Sequence, residues 1–140
     1  MKSVTQLSLF LENKPGRVYQ IFKTLGEAGI NIFTISLADT NQFGILRLIV
    51  EDAEATGDFL VQKGYAVTKT KVLAIRIDDK PGTLAHISEL LSEAGVNVEY
   101  AYAFALRNIF IYRVSDNETA YTQLATHGFD LLNHDELFKD

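Results

Sequence analysis

The stretch Asn13-Lys14-Pro15-Gly16, followed by Leu25-Gly26-Glu27-Ala28-Gly29-Ile30-Asn31-Ile32, decides the fold because the chain contains it twice. The second copy is Asp79-Lys80-Pro81-Gly82, followed by Leu91-Ser92-Glu93-Ala94-Gly95-Val96-Asn97-Val98. A turn, a helix start and a helix stop recur, rather than a run of generic core residues. The repeat indicates that one structural unit has been duplicated together with a local geometry, and function is to be sought in that geometry.

Each copy predicts the same order of strands and helices. Leu7, Leu9 and Leu11 alternate with other residues, which is typical of a strand with one face on a core. The next apolar residues follow helical spacing, and Gly29 and Gly95 stand where a helix needs a left-handed residue after its end. We expect further strands at 32–38, 45–51, 65–70, 73–77, 98–104, 109–114 and 129–132, and short helices at 55–63 and 119–127.

This order, βαββαβ in each half, predicts an α+β fold of two tandem ferredoxin-like units, each an antiparallel sheet with its helices on one face. We place the units at residues 1–70 and 71–140. No linker rich in Pro, Gly or Ser separates them. The strands Ile45–Val50 and Ile109–Val114 are apolar at nearly every position, so both of their faces are expected to be buried, the second against the other unit or a second chain.

The composition excludes several classes of partner. The 140 residues are 47% hydrophobic and 22% charged, as in a globular chain with a core. The net charge is −5 and basic residues are scattered, so the positive footprint for nucleic acid or anionic membranes is missing. There is no cysteine, and the apolar stretch Leu7–Leu11 is too short for a signal peptide. We expect a cytoplasmic protein that binds neither nucleic acid nor membrane.

The Pro-Gly turn is the candidate for ligand chemistry. Pro15 and Pro81 fit the first helical position, and the glycine after each leaves the backbone uncovered. Free amides and the positive helix end bind carboxylate or phosphate, while Asn13 and Asp79 offer oxygens to an ammonium group. The loop could thus hold a zwitterion. The alternative is structural, with Asn13 and Asp79 as simple N-caps and the asparagines that follow each helix, Asn31 among them, as turn residues.

The whole motif resembles the signature of ACT domains, the βαββαβ regulatory modules of D-3-phosphoglycerate dehydrogenase and aspartate kinases. The resemblance covers essentially the whole chain as two tandem copies. It implies modules that pair side by side, a homodimer, and a free amino acid bound at the ACT-ACT interface. The implied site residues are Asn13, Lys14, Pro15, Gly16, Arg17, Val18, Asn31 and Ile32 in one copy, and Asp79, Lys80, Pro81, Gly82, Thr83, Leu84, Asn97 and Val98 in the other.

The two copies differ chemically. Asp79 in place of Asn13 favours an ammonium group, and Arg17 in place of Thr83 brings a cation to a helix start, which an anion nearby would explain. In the first copy, the strand after the first helix carries three apolar residues at alternate positions, on one face of the strand: Phe33, Ile35 and Leu37. An aromatic set occupies the opposite phase in the second copy: Tyr100, Tyr102 and Phe104.

Three other functions compete with amino-acid sensing as interpretations of the sequence. An enzyme needs a catalytic group or metal cluster, but the histidines at 86, 127 and 134 have no ligand-spaced partner, so we expect no catalytic residue, metal or cofactor. RNA-recognition motifs share the βαββαβ order, and Gln42-Phe43-Gly44-Ile45 resembles their aromatic strand, but the basic residue is missing. A structural module that mediates assembly without ligand is not rejected. We expect a stand-alone tandem ACT protein that acts through its assembly or an unidentified protein partner.

Overall fold

A computed structural model of the chain describes residues 1–39 and 43–139. Gln42, which belongs to the RNA-binding resemblance, lies outside the described residues. The chain divides into two compact units. The first unit is Thr5–Thr70, and the second runs from Lys71 onward and includes Met1–Val4.

The first unit places two helices on one antiparallel sheet. Its elements are β1 (Val4–Glu12), α1 (Arg17–Glu27), β2 (Ile32–Asp39), β3 (Phe43–Val50), α2 (Ala53–Gln62) and the first part of β4 (Ala66–Arg76). The strand order is β2-β3-β1-β4. Leu46 of β3 lies opposite both Leu9 and Leu37 in the antiparallel pairs. Leu9 and Leu46 are fully buried in one core with Ile21 and Leu25 of α1.

The second unit repeats this plan. It continues β4 and adds α3 (Thr83–Glu93), β5 (Val98–Phe104), β6 (Ile109–Val114), α4 (Asn117–Thr126) and β7 (Asp130–Leu132). The strand order is β5-β6-β4-β7, with β4 antiparallel to both β6 and β7. Ile75, Ile87, Leu91 and Leu124 are among the buried residues of its core. The predicted fold class, tandem βαββαβ units with helices on a sheet, is confirmed.

Two predicted strands are one. The segments at 65–70 and 73–77 form the single strand β4, Ala66–Arg76, whose first five residues belong to the first unit and the rest to the second. The reason is local, because no Gly or Pro interrupts the stretch and most of its residues are β-branched or aliphatic.

The predicted helix starts after the Pro-Gly turns were wrong by two residues. Pro15 and Pro81 are not the first helical residues, since α1 begins at Arg17 and α3 at Thr83. The N-cap positions are the glycines 16 and 82, with φ of +88° and +93°, and no side chain caps either helix. Asn13 and Asp79 are therefore not N-caps. Only glycine enters this left-handed region without strain, which explains the Gly in both turns.

The other helix ends follow ordinary capping chemistry. Asp52 accepts a hydrogen bond from the amide of Ala55 at 3.0 Å, so α2 begins two residues earlier than predicted, and Asp116 caps α4 in the same way. The predicted left-handed glycines after α1 and α3 are confirmed, with φ of +72° at Gly29 and +73° at Gly95. The amide of Ile30 donates to the Leu25 carbonyl at 3.0 Å, which closes a Schellman-type end.

The sheets are apolar on both faces, as their sequences predicted. In β3, the adjacent residues Leu48 and Ile49 are both fully buried, although they point to opposite faces. In β6, Ile109 and Ile111 are fully buried on the face opposite to Tyr112, which belongs to the helix-side core.

The end of the chain is fixed to the second unit by side-chain contacts. A 3-10 turn spans Asp135–Phe138, which we call the C-terminal turn. Arg107 donates from Nη1 to the Leu137 carbonyl at 2.8 Å and from Nη2 to the Lys139 carbonyl at 2.7 Å. Of the helices that the structure describes, none combines the length and apolar character needed to cross a bilayer.

Candidate functional site

Both Pro-Gly turns present an open helix start. The first intrahelical bonds run from the Gln20 amide to the Gly16 carbonyl and from the His86 amide to the Gly82 carbonyl, each at 2.9 Å. The amides just before them, those of residues 18 and 19 and of 84 and 85, have no carbonyl to reach within the helix. Because the N-cap glycine carries no side chain, no side-chain oxygen occupies these donors. These amides are open to water or to an anionic group outside the helix.

The first turn carries its own anion. Glu12 is the last residue of β1. Its Oε2 lies 2.8 Å from Lys14 Nζ, and its Oε1 lies 3.7 Å from Arg17 Nη2. The hydrogen bond from Lys14, followed by the charges of Lys14 and Arg17, holds the pKa of Glu12 below its usual value. The anion that was expected to explain a cation at the start of α1 is therefore Glu12 itself.

A pocket of about 290 Å³ borders the first turn. Three of the predicted site residues line it: Asn13, Lys14 and Val18. Its other walls come from the end of β1 and from Leu37 and Gly44 of β2 and β3. This pocket, which we call the strand-side pocket, thus lies on the β2–β3 side of the turn.

A larger pocket of about 490 Å³ borders the second turn. It brings together four predicted site residues, Lys80, Pro81, Gly82 and Thr83, with eight that the sequence analysis did not select for the site: Arg76, Ile77, Asp78, His86, His127, Gly128, Phe129 and Asp130. These come from the end of β4, the first turns of α3, the end of α4 and the start of β7. We call it the helix-end pocket. The two turns are alike in sequence, yet each borders a pocket on a different side.

One missed feature had a sequence signal. Glu12 and Asp78 immediately precede the repeated motif, so the repeat extends one acidic residue upstream in both copies. In the second turn, Lys80 Nζ lies 3.9 Å from Asp78 Oδ2, a looser pair than Lys14 with Glu12. Four other residues of the helix-end pocket come from the end of α4, the start of β7 and the segment between them, which are distant in sequence from the turn: His127, Gly128, Phe129 and Asp130.

The predicted asparagines lie away from the turns within each unit. α1 and α3 each have 11 residues, so about 16 Å of helix separates the Pro-Gly turn from the residues that follow the helix. Asn31 and Asn97 are exposed at that far end, just before Ile32 and Val98 open β2 and β5. The Asn97 amide donates to Ser115 Oγ at 3.0 Å, and its carbonyl accepts from the Ser115 amide at 2.9 Å.

Two of the three histidines, His86 and His127, line the helix-end pocket, and the third lies in the C-terminal segment. The His86 ring lies 5.5 Å from that of Phe129, between centroids, and His127 Nδ1 is 2.8 Å from the Gln123 carbonyl at the end of α4. His134 lies beside Phe138 in the C-terminal segment. Within residues 1–39 and 43–139, no group of three or more His, Asp or Glu side chains is arranged to hold a metal ion.

The strand phases of the two copies differ as predicted. Ile35 of β2 lies opposite Leu48, on the helix side of its sheet, whereas Tyr102 and Phe104 of β5 lie opposite Ile111 and Ile109, on the face away from the helices. The corresponding strands therefore present apolar side chains to opposite faces.

Comparisons with known proteins agree with this architecture. The family model described as an ACT domain pair matches residues 2–139. Among curated proteins, no significant match is found. Among solved structures, protein BT0572 from Bacteroides thetaiotaomicron is 36% identical, with a TM-score of 0.91 over 99% of this chain and 97% of that chain.

Regulatory subunits of aspartate kinase share the fold at lower identity. Those of Thermus thermophilus and Thermus flavus are 18% and 17% identical, each with a TM-score of 0.58 over 99% of this chain and 95% of theirs. The duplicated βαββαβ order, the paired Pro-Gly turns and the family match over nearly all residues lead to one assignment: the chain belongs to the ACT domain pair family.

Proposed function

We propose that this ACT pair is a regulatory protein that binds a free amino acid. The bound amino acid acts by changing the protein's own assembly or its interaction with a protein partner. The observation that carries the proposal is the uncapped helix start, present in both copies with a left-handed glycine at the N-cap. Both copies leave the same amides without a side-chain acceptor, so both helix starts can receive an anionic group.

The turn offers complementary groups for both charges of an amino acid. An α-carboxylate would accept hydrogen bonds from the free amides of the first helical turn and gain from the positive helix end. The ammonium group would lie near the oxygens before the turn, those of Glu12 and Asn13 in the first copy and of Asp78 and Asp79 in the second. The turn thus combines amides that bind the carboxylate of the ligand with side-chain oxygens that bind its ammonium group. This pairing favours zwitterions over simple anions.

The asparagines enter the proposal as residues of a neighbouring module. Because Asn31 and Asn97 lie about 16 Å of helix away from the turn of their own unit, a ligand in contact with both groups would be held between ACT modules. We propose a homodimer that supplies such neighbours. This arrangement needs no catalytic residue or cofactor, and we place the protein in the cytoplasm.

Exposed apolar side chains favour a change in assembly as the response to ligand binding. If no ligand binds, assembly itself is the second candidate function. β2 is the outer strand of the first unit, and its side chains Ile35 and Leu37 are 42% and 51% exposed. An exposed apolar outer strand is a template for pairing with another chain. A purely structural pairing module would use the same strand.

A thermal-shift screen against the common amino acids, followed by light scattering with and without the ligand found, tests the proposal. Binding to the folded state raises the melting temperature by mass action, and a coupled output changes the oligomeric state. Asn31→Ala and Asn97→Ala are then tested one at a time. If no amino acid stabilises the protein at millimolar concentration, the structural module replaces the sensor. If both variants bind normally, the asparagines are not site residues.

A further inference from the structure

The sheets of the two units end in outer strands that carry different side chains. β2 is the outer strand of the first unit, and β5 holds the matching position in the second. Both pair with their inner neighbour in the same register, since Ile35 lies opposite Leu48 and its counterpart Ala101 lies opposite Tyr112, the counterpart of Leu48. An outer strand offers the N–H and C=O groups of one side to a further strand. The two strands can therefore be compared position by position.

β2 presents larger apolar side chains than β5 does. Ile35 and Leu37 are exposed, and they lie on the helix side of the first sheet, opposite buried core residues of β3. The residues at the same positions of β5 are Ala101 and Ala103, which are exposed as well. The edge of the first unit therefore offers a further strand more apolar surface to bury.

A charge also distinguishes the two strands. Each strand has a register shift near its start, and the residue within it is Phe33 in β2 and Glu99 in β5. Glu99 is exposed, and its Oε2 lies 3.3 Å from Arg113 Nε. A strand that paired along β5 would have to desolvate this carboxylate. Charged side chains on an outer strand oppose pairing with another chain for this reason.

The sequence of β2 suits pairing with a copy of itself. Residues 32–38 carry no charge although the chain has a net charge of −5, so two copies can meet along this strand without like charges opposite each other. In an antiparallel pair centred on Ser36, Ile35 of each copy lies opposite Leu37 of the other. Residues 34–38 lie beyond the register shift, so they can pair without interruption. The segment thus has the self-complementarity that a two-fold contact requires.

We propose that β2 pairs with β2 of a second copy of this chain, centred on Ser36, and that Glu99 keeps β5 from pairing in the same way. The inference rests on the proposed homodimer and assigns one strand and one register to it. A chain with two self-pairing strands would assemble without limit, whereas a chain with one forms a closed dimer. Glu99 therefore limits the size of the assembly.

Sedimentation equilibrium of the full chain, without any amino acid, tests the pairing strand. Ile35→Ala with Leu37→Ala gives β2 the residues of β5, and it is expected to raise the Kd of the dimer at least about tenfold. Leu106→Ala removes an exposed apolar side chain outside both strands, and as the control it is expected to leave this Kd unchanged.

The reverse exchange tests the role of Glu99. Glu99→Phe with Ala101→Ile and Ala103→Leu gives β5 the residues of β2, and it is expected to produce species larger than a dimer. Ala103→Leu alone keeps the carboxylate and is expected to remain dimeric. A folded triple variant that stays dimeric would overturn the role given to Glu99.

Disulfide crosslinking tests the register and does not depend on truncated side chains. The chain has no cysteine, so a single introduced thiol can react only with that of a second copy. Opposite residues of an antiparallel pair lie within disulfide reach. Ser36→Cys is therefore expected to give a covalent dimer on mild oxidation. Ala103→Cys, at the counterpart of Leu37, is the matched control and is expected to give none.

The outcomes separate this inference from the homodimer and from amino-acid binding. A double alanine variant that associates within twofold of the original chain, or Ser36→Cys that dimerises without crosslinking, would exclude this pairing and leave a homodimer through another surface. Crosslinking of Ala103→Cys would show that β5 pairs too and would overturn the blocked edge. An original chain that stays monomeric at millimolar concentration would overturn the homodimer and the inference together, while the thermal-shift screen tests amino-acid binding separately.

Discussion

The glycine at the start of α3 provides a quantitative test of the turn geometry. Gly82 has φ of +93°, and a Cβ built on it would meet no atom within 4 Å. Gly82→Ala therefore adds no clash, and its whole effect comes from the backbone conformation. Left-handed backbone costs an L-residue about 1–2 kcal/mol, partly offset by about 0.4–1 kcal/mol from the lower entropy of the unfolded chain. We expect a net loss of about 1 kcal/mol of unfolding free energy.

Gly26→Ala is a matched control with the opposite expected sign. Gly26 lies within α1, and a Cβ there also meets no atom within 4 Å. Because its backbone is helical, alanine is expected to stabilise the protein by about 0.5–1 kcal/mol. Gly82→Asn should fall between Gly and Ala, since Asn tolerates the left-handed region better than other L-residues.

Urea and thermal unfolding of the three variants measure these differences. At this chain length a change of 1 kcal/mol moves the melting temperature by roughly 4 °C, so Gly82→Ala and Gly26→Ala should shift it in opposite directions. Equal effects of the two substitutions, or a stabilising Gly82→Ala, would refute the conclusion that a left-handed N-cap sets the start of α3.

Three further predictions concern the second unit. Arg107→Ala removes both hydrogen bonds to the C-terminal turn, with roughly 1–3 kcal/mol of lost local stability, and should raise amide hydrogen exchange there by about fivefold to 150-fold, with exchange in α3 unchanged. The pKa of Asp116 is lowered by hydrogen bonds from Thr119, so its contribution is present above the unfolded pKa and lost as pH falls through the lowered folded value. Urea unfolding of Asp116→Ala should accordingly lose less stability on acidification than that of the original chain. Leu91→Ala in the core should cost about 2–5 kcal/mol, whereas Leu106→Ala, at a side chain that is 90% exposed, should cost little; similar losses would contradict the described core.

The parts of the fold that the sequence predicts are those decided by local chemistry. Gly29 and Gly95 were located correctly because a left-handed residue after a helix has few alternatives to glycine. The helix starts were missed because glycine at an N-cap is less common than Ser, Thr, Asp or Asn, and a nearby Asn or Asp attracts the assignment. The position of the turn was therefore predictable, but not the residue at which helical geometry begins.

The candidate site was predictable only in the half that lies within the motif. The separation of Asn31 from Pro15 follows from helix length and could have been worked out from the sequence alone. The approach of His127 and Asp130 to Gly82 could not, because it depends on how α4 and β7 pack beside α3 and β4. Contacts between distant segments have no periodic signal in a single sequence.

The two turns differ in the length of the acidic side chain before them and in the residue that begins the helix. Glu12 is long enough to meet Lys14 at 2.8 Å and to lie near Arg17, so the first turn neutralises much of its own charge. Asp78 is shorter, its pair with Lys80 is 3.9 Å apart, and Thr83 replaces the second cation. An anion that approaches Lys14 must therefore displace Glu12, whereas the corresponding groups of the second turn are less engaged with each other. The two turns share one backbone geometry but differ in how far their own side chains satisfy its charges.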